Sequence, residues 1–247
     1  MTGTRRVALI ADAGSYVGPD LARLLAARGH DLVLGDPAAG LVDELTALGA
    51  DVEAVDGVRD LAEPDAASRL VAAATSRFER LDAAVAASGQ IVIGRFVKSS
   101  LDDLRTVLRG CVEAPYLFLQ AVLPPMIEAG DGQVLVITSA SAARPTPGAP
   151  LYSAARAGAT MLAKNVAGEV ARHGVQVNAV GTNFMDFPGF ITANRAEDPE
   201  VRAKLESQVP LGRLGTMEEF ASFCMPFLDG TSRFTTGQFV AYAGGWA

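Results

Sequence analysis

The sequence predicts an α/β domain in which a parallel sheet carries helices on both faces. Short apolar runs alternate with longer amphipathic segments along the whole chain, which is the order of elements in a doubly wound sheet. The apolar runs lack polar alternation, as expected for parallel strands that are buried on both faces. No internal repeat or linker interrupts this order, so the 247 residues are predicted to form a single domain over 1–247.

The individual elements follow from two hydrophobic periods. Runs of β-branched or apolar residues predict strands at 7–11, 32–35, 52–55, 83–87, 133–138, 175–180 and 238–242. Amphipathic segments predict helices near 18–28, 40–48, 63–78, 101–127, 152–173 and 217–228. The alternation is broken at 181–210, where glycines and prolines surround a short helical pattern at 198–207. We expect this insertion to cover a ligand site.

The composition favours a globular domain that acts on small molecules. Hydrophobic residues make up 49% of the chain, and 21 basic against 28 acidic residues give a formal net charge of −7. This acidity argues against binding to nucleic acid or anionic membranes, so small molecules and other protein chains are the expected partners. Cys111 and Cys224 are too few for a disulfide framework and lack the spacing of metal ligands, which predicts a cytoplasmic location and no metal. No signal pattern is found, and no apolar stretch reaches the ~18 residues of a membrane span.

The turn after the first predicted strand departs from the pattern that binds a dinucleotide. Such a turn uses three glycines, for the turn itself, the pyrophosphate approach and helix packing. Here Gly14 and Gly18 are present, but Tyr16 stands where the pyrophosphate needs a missing side chain. We therefore expect its ring to fill cofactor space and predict no cofactor. Asp36, after the second strand, fits either a ribose hydroxyl or a helix cap or turn.

Three polar residues are expected to converge at the ligand-binding edge of the sheet. Ser139 follows the fifth predicted strand, and Tyr152 and Arg156 stand at i and i+4 on the following helix, so they share one face. A permanent positive charge on Arg156 favours the phenolate form of Tyr152, which would then act as a general base. Ser139 would bond the substrate oxygen. On spacing alone, a buried tyrosine and a surface arginine paired by helix periodicity remain an open alternative.

These residues resemble the Ser, Tyr, Arg triad of the halohydrin dehalogenases, which are relatives of the short-chain dehydrogenases/reductases that have lost the nicotinamide cofactor. In the parent reductases the position of Arg156 is a lysine that binds the nicotinamide ribose. Tyr16 and Gly18 also match the family's pattern at the altered glycine turn, although Ala11 replaces its threonine. The resemblance implies a single-domain Rossmann-like fold and a homotetramer, and the long helices are expected to supply its contacts.

The resemblance further implies a halide site after the sixth strand. The predicted pocket residues are Tyr16, Thr182, Asn183, Phe184, Met185 and Phe187, with core packing as the alternative for each apolar side chain. Backbone N–H groups inside an apolar pocket suit a weakly hydrated anion. In the implied reaction Tyr152 removes the proton of a vicinal haloalcohol, and the alkoxide displaces the halide to close an epoxide. In reverse, azide, cyanide, nitrite or halide would open the epoxide.

Two other functions fit the same scaffold. One is an NAD(P)H-dependent short-chain reductase with a degenerate cofactor motif, which saturable binding of NADH or NADPH would support. The other is a regulator without catalytic activity that binds a small ligand or a partner chain. The intact Ser139, Tyr152 and Arg156 speak against the regulator.

Overall fold

A parallel sheet with helices on both faces organises the chain, as shown by a computed structural model that describes residues 5–247. Within this range the main sheet has seven strands in the order β3-β2-β1-β4-β5-β6-β9, and β7 pairs with β8 in a separate two-stranded sheet. The strands are β1 (Arg6–Ile10), β2 (His30–Gly35), β3 (Val52–Val55), β4 (Ala83–Ala87), β5 (Gly132–Ser139), β6 (Val175–Thr182), β7 (Met185–Asp186), β8 (Gly215–Thr216) and β9 (Phe239–Tyr242). The predicted doubly wound, Rossmann-like fold is confirmed. Residues 1–4 of the predicted domain lie outside the described residues.

Helices follow most of the strands, as the alternation predicts. They are α1 (Gly18–Ala27), α2 (Leu41–Ala47), α3 (Ala66–Phe78), α4 (Leu101–Leu108), α5 (Ala114–Ala129), α6 (Pro150–Val170), α7 (Pro188–Asn194), α8 (Pro199–Glu206) and α9 (Met217–Cys224). One face of the sheet packs against α3, α5 and α6, with Leu70, Phe118 and Ala167 in its core. The other face packs against α1 and α9, with Leu25 and Phe220 buried there.

The pairing of β5 with β6 determines which residues meet at the ligand-binding edge. All eight residues of β5 are buried, in agreement with its apolar sequence. The parallel register runs without a break from Gly132 opposite Val175 to Ser139 opposite Thr182. Since both strands end at this pair, Ser139 and Thr182 lie side by side where the chain leaves the sheet.

The long helix after β4 is interrupted by one turn of π-helix. This turn, Arg109–Glu113, joins α4 to α5 and places the side chain of Cys111 in the interior. The continuous run Leu101–Ala129 is long and apolar enough for a membrane span by length and composition, contrary to the sequence-based expectation. Its side chains Phe118, Val122 and Met126 are buried in the core on the sheet, as in the core helix of a globular domain.

The segment 181–210, predicted as an insertion, contains β7, α7 and α8. The predicted helical pattern at 198–207 corresponds to α8, whereas α7 has only seven residues and its pattern is too short to predict. Arg202 of α8 forms ion pairs with Asp186 of β7 and Glu206. These contacts hold the insertion beside the end of β6.

The core on the α3, α5 and α6 face yields a stability prediction. Phe118 is fully buried, so Phe118→Ala leaves a cavity between α5 and the sheet. We expect the free energy of unfolding, measured by urea denaturation, to fall by about 3–5 kcal/mol. The control Leu48→Ala, at a side chain that is 51% exposed, should change it by no more than about 0.5 kcal/mol. Equal effects of the two substitutions would contradict this assignment of the core.

Candidate active site

A cavity of about 470 Å³ opens at the carboxyl ends of the central strands. Ligands of open parallel sheets bind at this edge. All nine side chains predicted for the site line this one cavity: Tyr16, Ser139, Tyr152, Arg156, Thr182, Asn183, Phe184, Met185 and Phe187. The structure therefore brings together residues from the α1 turn, β5, α6 and the segment after β6.

Ser139 is held in place by a short chain of hydroxyl groups. It is buried at the end of β5, where its Oγ accepts a bond from the N–H of Ser141 at 3.2 Å and donates to the Ser141 Oγ at 3.0 Å. The Ser141 hydroxyl in turn lies 2.5 Å from the Thr146 Oγ1. This arrangement restricts the rotation of the Ser139 hydroxyl and directs it along the cavity wall.

Tyr152 and Arg156 pair through the face of the aromatic ring. The guanidinium carbon lies 5.0 Å from the centroid of the Tyr152 ring, the geometry of a cation–π contact. Arg156 is only 7% exposed, which rules out the surface arginine considered as the alternative for the sequence spacing. Its guanidinium also packs against Gly89, where an added Cβ would stand 1.7 Å from Nη2. Only a glycine at that position leaves room for the arginine.

Tyr16 is a second tyrosine of the cavity and differs from Tyr152 in its surroundings. Its hydroxyl lies 2.7 Å from the Thr182 Oγ1, and its ring packs edge-on against Phe187 at 4.8 Å between centroids. Burial raises the pKa of Tyr16, partly offset by the bond to Thr182, so this phenol stays neutral. Tyr16 thus fills space and does not act as a base. Its backbone has a φ of 51°, in the left-handed region that favours glycine.

In the segment after β6, which the sequence predicts to be a halide site, one backbone donor is already in use. The N–H of Phe184 is used by the side-chain oxygen of Asn183 at 2.9 Å. The Phe184 ring packs against Trp246 at 5.7 Å between centroids, and the Arg144 guanidinium lies over the indole at 4.8 Å. Arg144 and Trp246 therefore support the rear wall of the cavity, a role that no pattern in the sequence indicates for Arg144.

This fold commonly binds a nicotinamide dinucleotide, and the two halves of such a cofactor would meet different surroundings here. On the β1–β2 side, a cavity of about 500 Å³ lined by Asp12, Leu61 and Ser88, among others, has room for an adenosine. Asp36 beside it is a turn-former, as one reading of the sequence proposed: it accepts bonds from the N–H groups of Gly57 and Val58. Burial raises the pKa of Asp36, but these bonds outweigh it and hold the pKa below its ordinary value.

The nicotinamide half of such a cofactor does not fit the site as folded. The bond from Tyr16 to Thr182 crosses the sheet edge from the β1 turn to the end of β6, which is the path of a bound dinucleotide. The guanidinium of Arg156 fills the space above Gly89. The residues therefore fit the adenosine half of the cofactor, whereas the nicotinamide half would require the side chains of Tyr16 and Arg156 to move.

Fold and site together define an α/β enzyme of the short-chain dehydrogenase/reductase type. A family model described as enoyl-(acyl carrier protein) reductase matches residues 13–247. The chain belongs to this family, a branch of the short-chain dehydrogenases/reductases.

Relatives and a solved structure cover nearly the whole chain. It is 29% identical over 246 residues to 2,5-dichloro-2,5-cyclohexadiene-1,4-diol dehydrogenase LinX of Sphingobium indicum, covering 98% of this chain and 96% of that protein. It is 32% identical over 244 residues to cis-4-hydroxycyclohexanecarboxylate dehydrogenase of Sinomonas cyclohexanicum, with the same coverage of 98% and 96%. The crystal structure of levodione reductase matches with a TM-score of 0.86 at 26% identity, covering 97% of this chain and 96% of that one.

These relatives overturn the activity that the sequence predicted. They are named as dehydrogenases and a reductase, so the expected halohydrin dehalogenase, a lyase acting on haloalcohols and epoxides, is wrong. Of the backbone N–H groups in the predicted halide segment, that of Phe184 is already bonded to Asn183. The relatives favour the alternative, a short-chain oxidoreductase whose cofactor motif is altered.

The position of Tyr16 yields a prediction on dinucleotide binding. Tyr16→Gly removes the ring and suits the left-handed backbone, so we expect the Kd for NADH, measured by nicotinamide fluorescence, to fall at least about tenfold. Tyr16→Phe keeps the ring and should bind NADH as the unchanged protein does. Thermal melting checks that both variants are folded. Unchanged NADH affinity in Tyr16→Gly would show that the ring does not block the site.

Proposed function

We propose that this chain is an oxidoreductase that interconverts a secondary alcohol and the corresponding ketone on a ring-sized, largely apolar compound. The observation that carries the proposal is the presence of the Ser139 and Tyr152 hydroxyls in one cavity whose remaining walls are mainly aliphatic and aromatic. The ring is inferred from the names of two relatives, which refer to a cyclohexadiene diol in one and a cyclohexane carboxylate in the other.

In this proposal the chain's own residues handle the substrate oxygen and its proton. Tyr152 removes the hydroxyl proton during oxidation and returns it during reduction. A bound nicotinamide dinucleotide would accept the hydride of the carbinol carbon during oxidation and supply it during reduction. Ser139, held by the Ser141 N–H, would turn its hydroxyl from the Ser141 Oγ to donate a hydrogen bond to the same oxygen. The positive charge of Arg156 over the ring stabilises the negative charge that develops on the Tyr152 oxygen. The aromatic walls exclude water from the reacting carbon.

A substitution at Tyr152 tests this assignment. We expect Tyr152→Phe to lower kcat/KM for cyclohexanol oxidation and cyclohexanone reduction by about 10²–10⁴-fold, because the proton then has no carrier. The assay follows absorbance at 340 nm with NAD⁺, NADP⁺ or their reduced forms, so it also identifies the redox partner. Tyr116→Phe makes the same chemical change at an exposed position of α5 outside the cavity and should leave the rate unchanged. Equal rates in all three proteins would overturn the role of Tyr152.

We also propose that the chain forms a homotetramer in the cytoplasm. The exposed side chain of Met161 on α6 supports helix-to-helix contacts between subunits. Cys111 and Cys224 are both unpaired and buried, as is usual in a reducing compartment.

Light scattering coupled to size exclusion tests the tetramer. We expect a particle of about four times the 25.6 kDa chain mass. Met161→Glu should shift the particle to a smaller mass, because it places charge in the proposed contact. A single-chain mass for the unchanged protein would contradict the assembly.

A further inference from the structure

The guanidinium of Arg156 is a buried charge with no counter-ion in the part of the chain that the structure describes. Only 7% of the Arg156 surface is exposed, and its Nε is buried without a hydrogen-bond partner. Among residues 5–247, no side chain or backbone group forms a hydrogen bond or an ion pair with a nitrogen of Arg156. Proteins rarely leave such a charge unpaired, because its desolvation is recovered only by a close anion.

The surrounding cavity does not supply that anion. Its lining consists of aliphatic, aromatic, hydroxyl and amide side chains, and Arg156 is its single formally charged residue. The Tyr152 ring offers its face, which offsets part of the cost of burial but does not neutralise the charge. The cavity is thus electropositive, although the whole chain carries a formal net charge of −7.

We propose that the substrate of this cavity is an anion whose carboxylate pairs with Arg156. This inference rests on the proposed function, because it adds a charged group to the same alcohol or ketone. The substrate oxygen meets Tyr152 and Ser139, the apolar body lies against the aromatic wall, and the carboxylate accepts hydrogen bonds from the guanidinium. The planar guanidinium suits a carboxylate because it donates two parallel bonds.

Equilibrium binding tests the proposal without turnover. Isothermal titration calorimetry at neutral pH compares cyclohexanecarboxylate with cyclohexanecarboxamide, a neutral compound of nearly the same shape. We expect the unchanged protein to bind the carboxylate at least about tenfold more tightly than the amide. Arg156→Gln should abolish this preference, and Arg156→Lys, which keeps the charge but not the fork, should retain a smaller one.

Two results would overturn the proposal. One is equal affinity of the unchanged protein for carboxylate and amide, which would show that Arg156 does not pair with the carboxylate. The other is a preference that survives Arg156→Gln, which would place the carboxylate elsewhere. Circular dichroism confirms the fold of each variant. A protein that binds the carboxylate but oxidises no alcohol supports this inference and overturns the proposed function, so the two failures are distinct.

Discussion

The register between β5 and β6 is the constraint on which the site depends. It places Ser139 directly beside Thr182 at the end of the sheet. The Thr182 hydroxyl forms a hydrogen bond with the Tyr16 hydroxyl, and the turn that follows β5 orients the Ser139 side chain. A slip of one residue in this pairing would send both side chains to the opposite face, because strand side chains alternate. The buried apolar residues of both strands prevent such a slip.

The site combines one positive charge with an otherwise neutral wall. The charge comes from Arg156 on α6, whereas the wall comes from the segment after β6 and is supported from behind by Trp246. A ligand must therefore satisfy two separate requirements. Its shape must fit against the aromatic rings, and its charge must complement the positive guanidinium. Specificity in this cavity is divided between elements that are far apart in the chain.

Much of the fold and the composition of the site could be predicted from the sequence. The seven strands of the main sheet follow from apolar runs, and Ser139 and Thr182 share an edge because parallel strands end on the same side. The register of each strand and the π-helical turn at Cys111 depend on packing that no local pattern records. The predicted activity is wrong because Tyr16 and Arg156 do not by themselves distinguish a halohydrin dehalogenase from an oxidoreductase with an altered cofactor motif. A sequence does not show that the Phe184 N–H is already bonded to Asn183.

The backbone at Tyr16 has a left-handed conformation that glycine adopts readily and tyrosine adopts only at a cost in free energy. The β1–α1 turn therefore combines the main-chain shape that suits glycine with a bulky aromatic side chain. The width of the cleft at this point is set by the side chain alone, so it can change while the path of the main chain stays the same.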